Sequence, residues 1–568
     1  MRDALKHYLA PDLRSLVFAC KGLCAVTLAL AISMSLDLDK PFWAMVASMM
    51  LQARPEAGLV IEKAACLALG STVGAVIAVL ILDNLTPYPV LAIGALALCV
   101  AVTSTIASTM RHVNFVFATS LVSVTAILIV LFALADPANT SSGSIFMVIR
   151  ARLSEVLVGA SSSILTSVLL YPFKVQKVLE TGMNRLRDLS LTHVSAILHA
   201  QSNPAAVHQQ RIGIIALSTS INDDANAGRY ELASNIDAAL LAASNALTIV
   251  AWGQTIERIL SDNPKRLSEM LARFVDHHAH GCSSLEAESL KKVSEALSAM
   301  HGACDSIAER SHGTQRFPRF NRHRDWLVGL RAALRSSLVF LSAIAIWILS
   351  GEQAALIMMI VLPALLSQAF SSHPVPRVAT AKLLGGALIA IPIAILFVLS
   401  SLAQGSGDFE MLILVLSAPL FLGLMSMTSP SLAPYGLGFC LTLAVLVQPS
   451  NYMTFAIDQC LSTGLGIAAG LGLLYAGFDL IGPPKHTWLQ RRVIRALYLD
   501  LKEMGKKGRS ADWLNQRAAE RLSCLAAYEP QTPTGRALTL RGLNLLESGH
   551  RMSSHQMNNE SFEFTSTP

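Results

Sequence analysis

Long stretches without a charged residue constrain this sequence more than any other feature. The longest, residues 411–457, has 47 residues without a charge and is divided by turn-forming residues at 428–434. Residues 90–110 and 113–135 form two further stretches of 21 and 23 residues. A helix needs about 20 mainly apolar residues to cross a bilayer, so these stretches predict membrane-spanning helices.

The composition agrees with a membrane protein and argues against a soluble one. Charged residues make up 14% of the chain and hydrophobic residues 53%, whereas a soluble domain usually has about 25% charged residues. A chain this apolar also does not fit disorder over most of its length. The net charge of +6 does not indicate a nucleic-acid partner, because the basic residues stand at the edges of apolar stretches, as membrane topology requires.

The apolar stretches fall into two blocks, which gives the expected domain organisation. Residues 1–173 contain six candidate spans, and residues 326–482 contain six more. Between them, residues 174–325 carry charges throughout, with apolar residues at helical spacing, which predicts a cytoplasmic helical domain. Residues 483–568 form a polar cytoplasmic tail that we expect to be helical at first and disordered after His550.

The predicted fold is an all-α polytopic membrane protein with two six-helix transmembrane repeats. The two blocks share a basic lead-in, a short second span and a third span with a glycine, where Gly70 and Gly385 occupy similar places. Six spans per block give both repeats the same orientation, related by an axis near the membrane normal.

The distribution of Lys and Arg predicts the orientation. With the N-terminus inside, the inner loops hold most of the basic residues, among them Lys63, Lys174 and Arg377. The outer loops hold acidic residues such as Asp37 and Asp83. The positive-inside rule therefore places both termini, the helical insert and the tail in the cytoplasm.

No sequence motif indicates an enzyme. The chain has no Walker A loop, no HExxH and no GxSxG, and its cysteines have no metal-type spacing with histidine. Closely spaced glycines, at Gly70 and Gly74 and again at 464–470, lie in apolar stretches, where they predict close helix packing. We therefore expect a protein without catalytic activity, metal or cofactor.

Charges within the spans are the most informative candidate residues, because a charge is costly in hydrocarbon and tends to face a pathway. Arg152 and Glu155 are spaced i, i+3 at the start of the sixth span and can share one helix face. They form either a structural ion pair or an anion-binding arginine with a carboxylate that can take up a proton. Asp458, at the start of the last span, is a second candidate proton carrier or a helix-terminus charge in water.

The second span of each block is short, which often marks a binding site in transporters. In the first block, Trp43 stands near its start, and Gln52 and Arg54 stand at its inner end. The second block places Arg377 and Lys382 near the corresponding inner mouth. These side chains can attract a carboxylate and stack against a ring, or they can set the topology and anchor the interface.

Several motifs resemble the aromatic acid exporter family, which includes the fusaric acid resistance proteins and the p-hydroxybenzoic acid efflux pumps. They are Pro41-Phe-Trp-Ala-Met45, the segment from Gln52 to Pro55, the Arg152-x-x-Glu155-x-x-x-Gly159 pattern, and Tyr435-Gly-Leu-Gly438. The resemblance covers nearly the whole chain. The second block departs from the pattern, because Gln459 falls where an equivalent of Arg152 would stand.

The resemblance implies a bacterial inner-membrane exporter of aromatic carboxylic acids, driven by the proton gradient. It also implies that a periplasmic membrane fusion protein and an outer-membrane channel can take part in export. Whether the protein forms a homodimer stays open. On this interpretation Arg54, Arg377 and Lys382 attract the anion at the cytoplasmic mouth, and Glu155 or Asp458 accepts protons from outside. Two alternatives stay open: an anion channel, and a membrane scaffold whose helical insert docks a partner.

Overall fold

The computed structural model describes residues 11–52, 57–110, 113–136, 141–170, 175–198, 203–228, 236–262, 285–308, 320, 324–351, 354–371, 373, 375–405, 407–453, 455–482, 484–531 and 534–564. Every regular element in these ranges is a helix, and no strand occurs there. The prediction of an all-helical polytopic membrane protein is confirmed. Contacts divide the chain into a membrane unit, residues 1–173 and 324–483, and an accessory unit, residues 174–323 and 484–568.

The first half of the membrane unit has six helices. They are α1 (Leu13–Ser35), α2 (Phe42–Leu51), α3 (Ala57–Leu85), α4 (Pro89–Thr109), α5 (Val113–Ala135) and α6 (Ser142–Leu169). The chain then enters the accessory unit with α7 (Val175–Leu198), α8 (Pro204–Gly228), α9 (Ile236–Asp262) and α10 (Leu285–Ala308).

The second half of the membrane unit repeats the order of six helices. They are α11 (Trp326–Leu349), α12 (Met358–Ala369), α13 (Pro376–Ile393), α14 (Phe409–Ser426), α15 (Ala433–Val447) and α16 (Ile457–Leu480). Pro392 interrupts the backbone hydrogen bonds near the end of α13, and the chain continues as a π-helix, Ala394–Leu399. The accessory unit is completed by α17 (His486–Lys507), α18 (Ala511–Tyr528) and α19 (Gly535–Phe564).

Nine of the described helices are long and apolar enough to cross a membrane. One of the nine, Ile236–Ser261, lies in the accessory unit, and the other eight lie in the membrane unit. Three shorter apolar helices, Phe42–Leu51, Ala355–Ala369 and Ala433–Val447, stand where the sequence placed the remaining short spans. The eight long helices of the membrane unit, these three and the more polar α6 make twelve helices at the places of the twelve candidate spans.

The two halves of the membrane unit pack against each other in a reciprocal pattern. The first helix of each half packs against the fourth helix of the other, as α1 with α14 and α11 with α4. The second helix of each half likewise packs against the fifth of the other, as α2 with α15 and α12 with α5. Exchanging the halves leaves this pattern unchanged, as a repeat requires, while the axis that relates the halves stays a prediction.

Glycines hold helices of the membrane unit at close range. Gly70 and Gly74 of α3 lie against the backbone carbonyls of Ala118 and Val122 in α5, with no room for a Cβ atom. Gly470 of α16 lies in the same way against α12. The close packing that the glycine spacing predicted is confirmed at these positions.

The helical insert and the tail form one accessory unit, although the sequence predicted them as separate segments. Glu547 of α19 pairs with Arg258 of α9 at 2.5 Å and accepts a hydrogen bond from Thr255 at 2.9 Å. Helix α19 continues to Phe564, past the point where disorder was expected. His550 is buried there, with Nε2 2.8 Å from Oδ1 of Asn515, because the apolar face of α19 packs on the unit.

Candidate functional site

The short helix α2 places Trp43 inside the membrane unit. Pro41 stands at its N-cap, and the chain leaves helical geometry at Gln52, so α2 has only 10 residues. Eight of these residues are buried, Trp43 among them. The ring of Trp43 therefore packs against protein.

Helix α6 brings Arg152 to Trp43. It begins at Ser142, about ten residues before the predicted start of the span near Arg152, because Ser141 and Ser144 form a reciprocal capping box. Gly159 has no side chain and lies against the carbonyl oxygen of Ala44, which allows α6 and α2 to approach closely. The guanidinium carbon of Arg152 lies 4.4 Å from the centre of the Trp43 ring, which is a cation–π contact.

Arg152 is buried with unused hydrogen-bonding capacity. Its residue surface is 9% exposed, and its Nε and Nη1 atoms hydrogen-bond to no other described residue. Donors that are buried without acceptors cost about 1–3 kcal/mol each, and more when they are charged. An anion that accepts hydrogen bonds from these two nitrogen atoms would offset that cost.

Glu155 is the carboxylate that accompanies Arg152, one helical turn later. It is 2% exposed and interacts electrostatically with Arg152. Its Oε1 atom also accepts a hydrogen bond from the backbone N–H of Lys40 at 3.0 Å. Lys40 immediately precedes Pro41, so Glu155 is tied both to the arginine and to the start of α2.

A cavity of about 40 Å³ lies beside Trp43 and Arg152. Its walls come from both halves of the membrane unit: Trp43, Val46, Ala47, Met50, Leu67, Phe117, Leu121, Val124, Arg152 and Val156 from the first, and Val361, Leu362, Leu365, Leu441 and Val445 from the second. Known ligand pockets measure about 300–1,000 Å³. This cavity is thus a closed site, which must widen before it holds an organic molecule.

Gln52 lies at the end of α2 and outside the lining of this cavity. Its buried side-chain amide donates hydrogen bonds to the carbonyl oxygen of Ser163 at 3.2 Å and to Oγ of Ser167 at 3.1 Å. These contacts tie the end of α2 to α6. The structure therefore gives Gln52 a contact that positions α2.

The candidate residues of the second half are not brought to the cavity. Arg377 is half-exposed, and it pairs with Asp479 at 2.7 Å and donates a hydrogen bond to Tyr475 Oη at 3.0 Å. Lys382 donates to the carbonyl oxygen of Ser431 at 2.9 Å. Asp458 is exposed in the first turn of α16. Arg54 lies outside the residues that the structure describes.

Arg335 of α11 is a candidate that the sequence interpretation missed. It is buried, its guanidinium carbon lies 4.3 Å from the Phe478 ring centre, and its Nε atom has no hydrogen-bond partner among the described residues. Its Nη2 atom donates to the carbonyl oxygen of Ser367 at 3.4 Å. The sequence did contain a signal for Arg335, because this residue stands well inside its apolar span. Lys21 stands at a similar position in α1 and is also buried.

No group of three or more His, Cys, Asp or Glu side chains suited to a metal ion occurs in the described part of the chain. The site itself offers one buried guanidinium, one buried carboxylate, an indole ring and an apolar wall. This set suits the binding of an anion with an apolar body, together with proton uptake at a carboxylate.

Comparison with known proteins supplies the context for this geometry. The family described as "FUSC: Fusaric acid resistance protein family" matches residues 15–291 and 257–557. The "p-hydroxybenzoic acid efflux pump subunit AaeB" of Edwardsiella tarda is 24% identical over 550 residues, which cover 88% of this chain and 82% of that protein. The "Uncharacterized transporter GOX0755" of Gluconobacter oxydans is 27% identical over 218 residues, 37% of this chain and 29% of that protein. No solved structure matches the chain.

Proposed function

The chain belongs to the fusaric acid resistance protein family and is a multi-pass membrane efflux transporter, and from this premise we propose that it exports aromatic carboxylic acids in exchange for protons. The name of the Edwardsiella tarda relative, a p-hydroxybenzoic acid efflux pump subunit, supports the substrate class. The contact between Arg152 and Trp43 beside an apolar cavity is the observation that carries the proposal.

The substrate carboxylate binds to Arg152 in this proposal. Its two oxygen atoms accept hydrogen bonds from Nε and Nη1, the guanidinium atoms that have no other described partner. The aromatic ring then lies against the apolar wall, where Phe117 and Leu362 contribute from the two halves. An aromatic anion thereby satisfies the buried charge and buries its own apolar surface.

Access to the site changes when the two halves move. The cavity has walls from α2, α3, α5 and α6 on one side and from α12 and α15 on the other. Small displacements between the halves therefore widen the cavity toward one face of the membrane and close it toward the other. The cavity of about 40 Å³ has to widen in this way before it holds an aromatic acid.

Glu155 couples protons to this movement. An ionised Glu155 holds the backbone N–H of Lys40 and thereby the start of α2, which carries Trp43. Protonation removes the charge from this hydrogen bond and weakens it. A proton arriving from outside thus loosens α2 and opens the contact between Trp43 and Arg152, which releases the anion. Asp458 is the alternative proton carrier, but it is exposed in the first turn of α16 and does not line the cavity.

Exchange of one proton for one anion moves two positive charges inward in this scheme, so the membrane potential also drives export. The orientation that the basic residues favour, with both termini in the cytoplasm of a bacterial inner membrane, belongs to the same proposal. Arg377 and Lys382, at the inner mouth in that orientation, attract anions without holding them. The proposal also includes two partners, a periplasmic membrane fusion protein and an outer-membrane channel. It further includes assembly into a homodimer.

The proposal is tested with purified protein in liposomes, an imposed pH gradient and radiolabelled 4-hydroxybenzoate. We expect accumulation that depends on the pH gradient and collapses when a protonophore is added. Flux that follows the substrate gradient and ignores the protonophore would identify a passive anion channel instead. Absence of flux for a panel of aromatic acids, also with the periplasmic partner added, would overturn the proposed substrate class.

A further inference from the structure

A cleft in the accessory unit is larger than the cavity beside Trp43, and the proposed transport cycle does not use it. The cleft measures about 370 Å³ and lies between α17 and α19. It is lined by Arg491, Ile494, Arg495, Tyr498, Leu538, Arg541 and Leu545. Its volume falls within the range of about 300–1,000 Å³ that is usual for small-molecule pockets.

The helical register brings three arginines to this cleft. Arg491 and Arg495 are one turn apart on α17, and Arg541 faces them from α19, which packs against α17. Ile494 follows the same face of α17, and Leu538 and Leu545 flank Arg541 on α19. The cleft therefore combines three cationic groups with an apolar floor.

None of the three arginines has an ion-pair or hydrogen-bond partner among the described residues. Five other arginines of the accessory unit do pair with carboxylates: Arg187, Arg211, Arg258, Arg517 and Arg521. Three positive charges around one cleft repel each other, and no acidic side chain is among the residues that line it. A ligand with at least two negative charges would do so.

We propose that this cleft binds an amphipathic organic phosphate. A phosphate group offers several oxygen atoms and up to two charges, which match three guanidinium groups better than a single carboxylate does. The apolar part of the ligand lies on Ile494, Leu538 and Leu545, and the exposed ring of Tyr498 covers it from the rim. The cleft lies in the accessory unit, whereas Arg152 and Trp43 lie in the membrane unit, so this is a second binding site.

Two sources can supply this chemistry, an anionic phospholipid headgroup or a soluble phosphate ester. Binding to the purified full-length protein in detergent would be measured with three probes: inorganic phosphate, phenyl phosphate and dioctanoyl phosphatidic acid. We expect phenyl phosphate or the lipid to bind at least tenfold more tightly than inorganic phosphate, because only they have an apolar part. Preference between these two probes identifies the source.

Substitutions in the cleft decide whether it is the site. The double variant Arg495→Gln/Arg541→Gln should lower the affinity for the preferred probe by at least tenfold. The matched variant Arg509→Gln/Arg536→Gln removes two exposed charges of the same unit outside the cleft, and it should change the affinity by less than threefold. Equal losses of affinity in both variants would show that binding depends only on net charge, and they would overturn the proposal. Equal affinity of the wild-type protein for all three probes would also overturn it.

Discussion

Gly159 of α6 lies directly against the carbonyl oxygen of Ala44 in α2. Gly470 of α16 lies in the same way against Met359 in α12, so the sixth helix of each half touches the backbone of the second. In the first half this approach brings the Arg152 guanidinium to the ring of Trp43, the next residue before Ala44. The geometry of the candidate site thus depends on a residue that has no side chain.

Replacing Gly159 with alanine should destabilise the protein. The added Cβ atom meets backbone, which cannot rotate away, and overpacking of this kind typically costs about 1–3 kcal/mol. Thermal unfolding of the detergent-purified protein measures the loss. Gly472→Ala is the matched control, because nothing lies within 4 Å of its added Cβ atom. Equal unfolding temperatures for the two variants would show that α2 and α6 do not pack this closely.

Replacing Arg152 with glutamine should abolish most transport. A hydrogen bond to a charged group is worth about 1.5–3 kcal/mol, so kcat/KM for 4-hydroxybenzoate should fall at least about tenfold. Arg150→Gln removes an exposed charge two residues earlier on the same helix and should leave transport within about twofold of the wild type. Proteoliposome uptake measures both variants. Transport that survives Arg152→Gln would show that the anion binds at another place in the protein.

Replacing Glu155 with glutamine should uncouple transport from the proton gradient. The amide keeps a hydrogen-bond acceptor for the Lys40 N–H but cannot exchange a proton. We expect exchange down the substrate gradient to continue while accumulation driven by the pH gradient is lost. Asp458→Asn, which alters an exposed carboxylate, should keep accumulation. The reverse result, with Asp458 essential and Glu155 dispensable, would exchange their roles.

Arg335 should prove functional rather than stabilising. Removing a buried cation that pairs with no carboxylate in the described part of the chain relieves desolvation, so Arg335→Gln should keep or raise the unfolding temperature. Transport should nevertheless fall by about tenfold if this guanidinium holds the anion on its route. Unfolding temperature and uptake are measured on the same preparation. A lower unfolding temperature with normal uptake would make Arg335 a structural residue.

Two buried histidines should make the accessory unit sensitive to acid. Burial, with the nearby charge of Arg211, lowers the pKa of His193 to about 3, and burial lowers the pKa of His550 to about 4. Below pH 6.5 the two histidines become protonated in the unfolded chain, whereas they stay neutral in the folded unit. Stability is therefore fully present above that pH and falls as the pH drops toward 4, by up to about 1.4 kcal/mol per pH unit for each histidine.

The histidine prediction is checked by the unfolding temperature between pH 7.5 and pH 5. His193→Gln should flatten the decline, because it removes one of the two titrating groups. His301→Gln, which alters an exposed histidine of α10, should leave the slope unchanged. A decline of equal steepness in wild type and His193→Gln would show that His193 can take up a proton in the folded unit.

Hydrophobic length and spacing predicted the helices well, because apolar stretches and helical periodicity are local properties of the sequence. The pair of Arg152 and Glu155 was also visible, since both residues lie on one turn of one helix. The partners of Arg377 could not be predicted from the sequence, because Asp479 and Tyr475 lie on α16, about a hundred residues later. The wall that Leu362 and Leu441 add to the cavity likewise depends on packing between halves, which no local pattern encodes.

Both units of this protein are assembled from segments that are distant in sequence. The membrane unit joins residues 1–173 to 324–483, and the accessory unit joins residues 174–323 to 484–568. During synthesis, α1 and α4 therefore enter the bilayer long before their partners α14 and α11 exist. The faces of the first half that later contact the second half must therefore lie against lipid or be shielded by the insertion machinery until the second half has been made. A ribosome that stalls between residues 174 and 483 therefore leaves two unfinished domains rather than one finished and one missing.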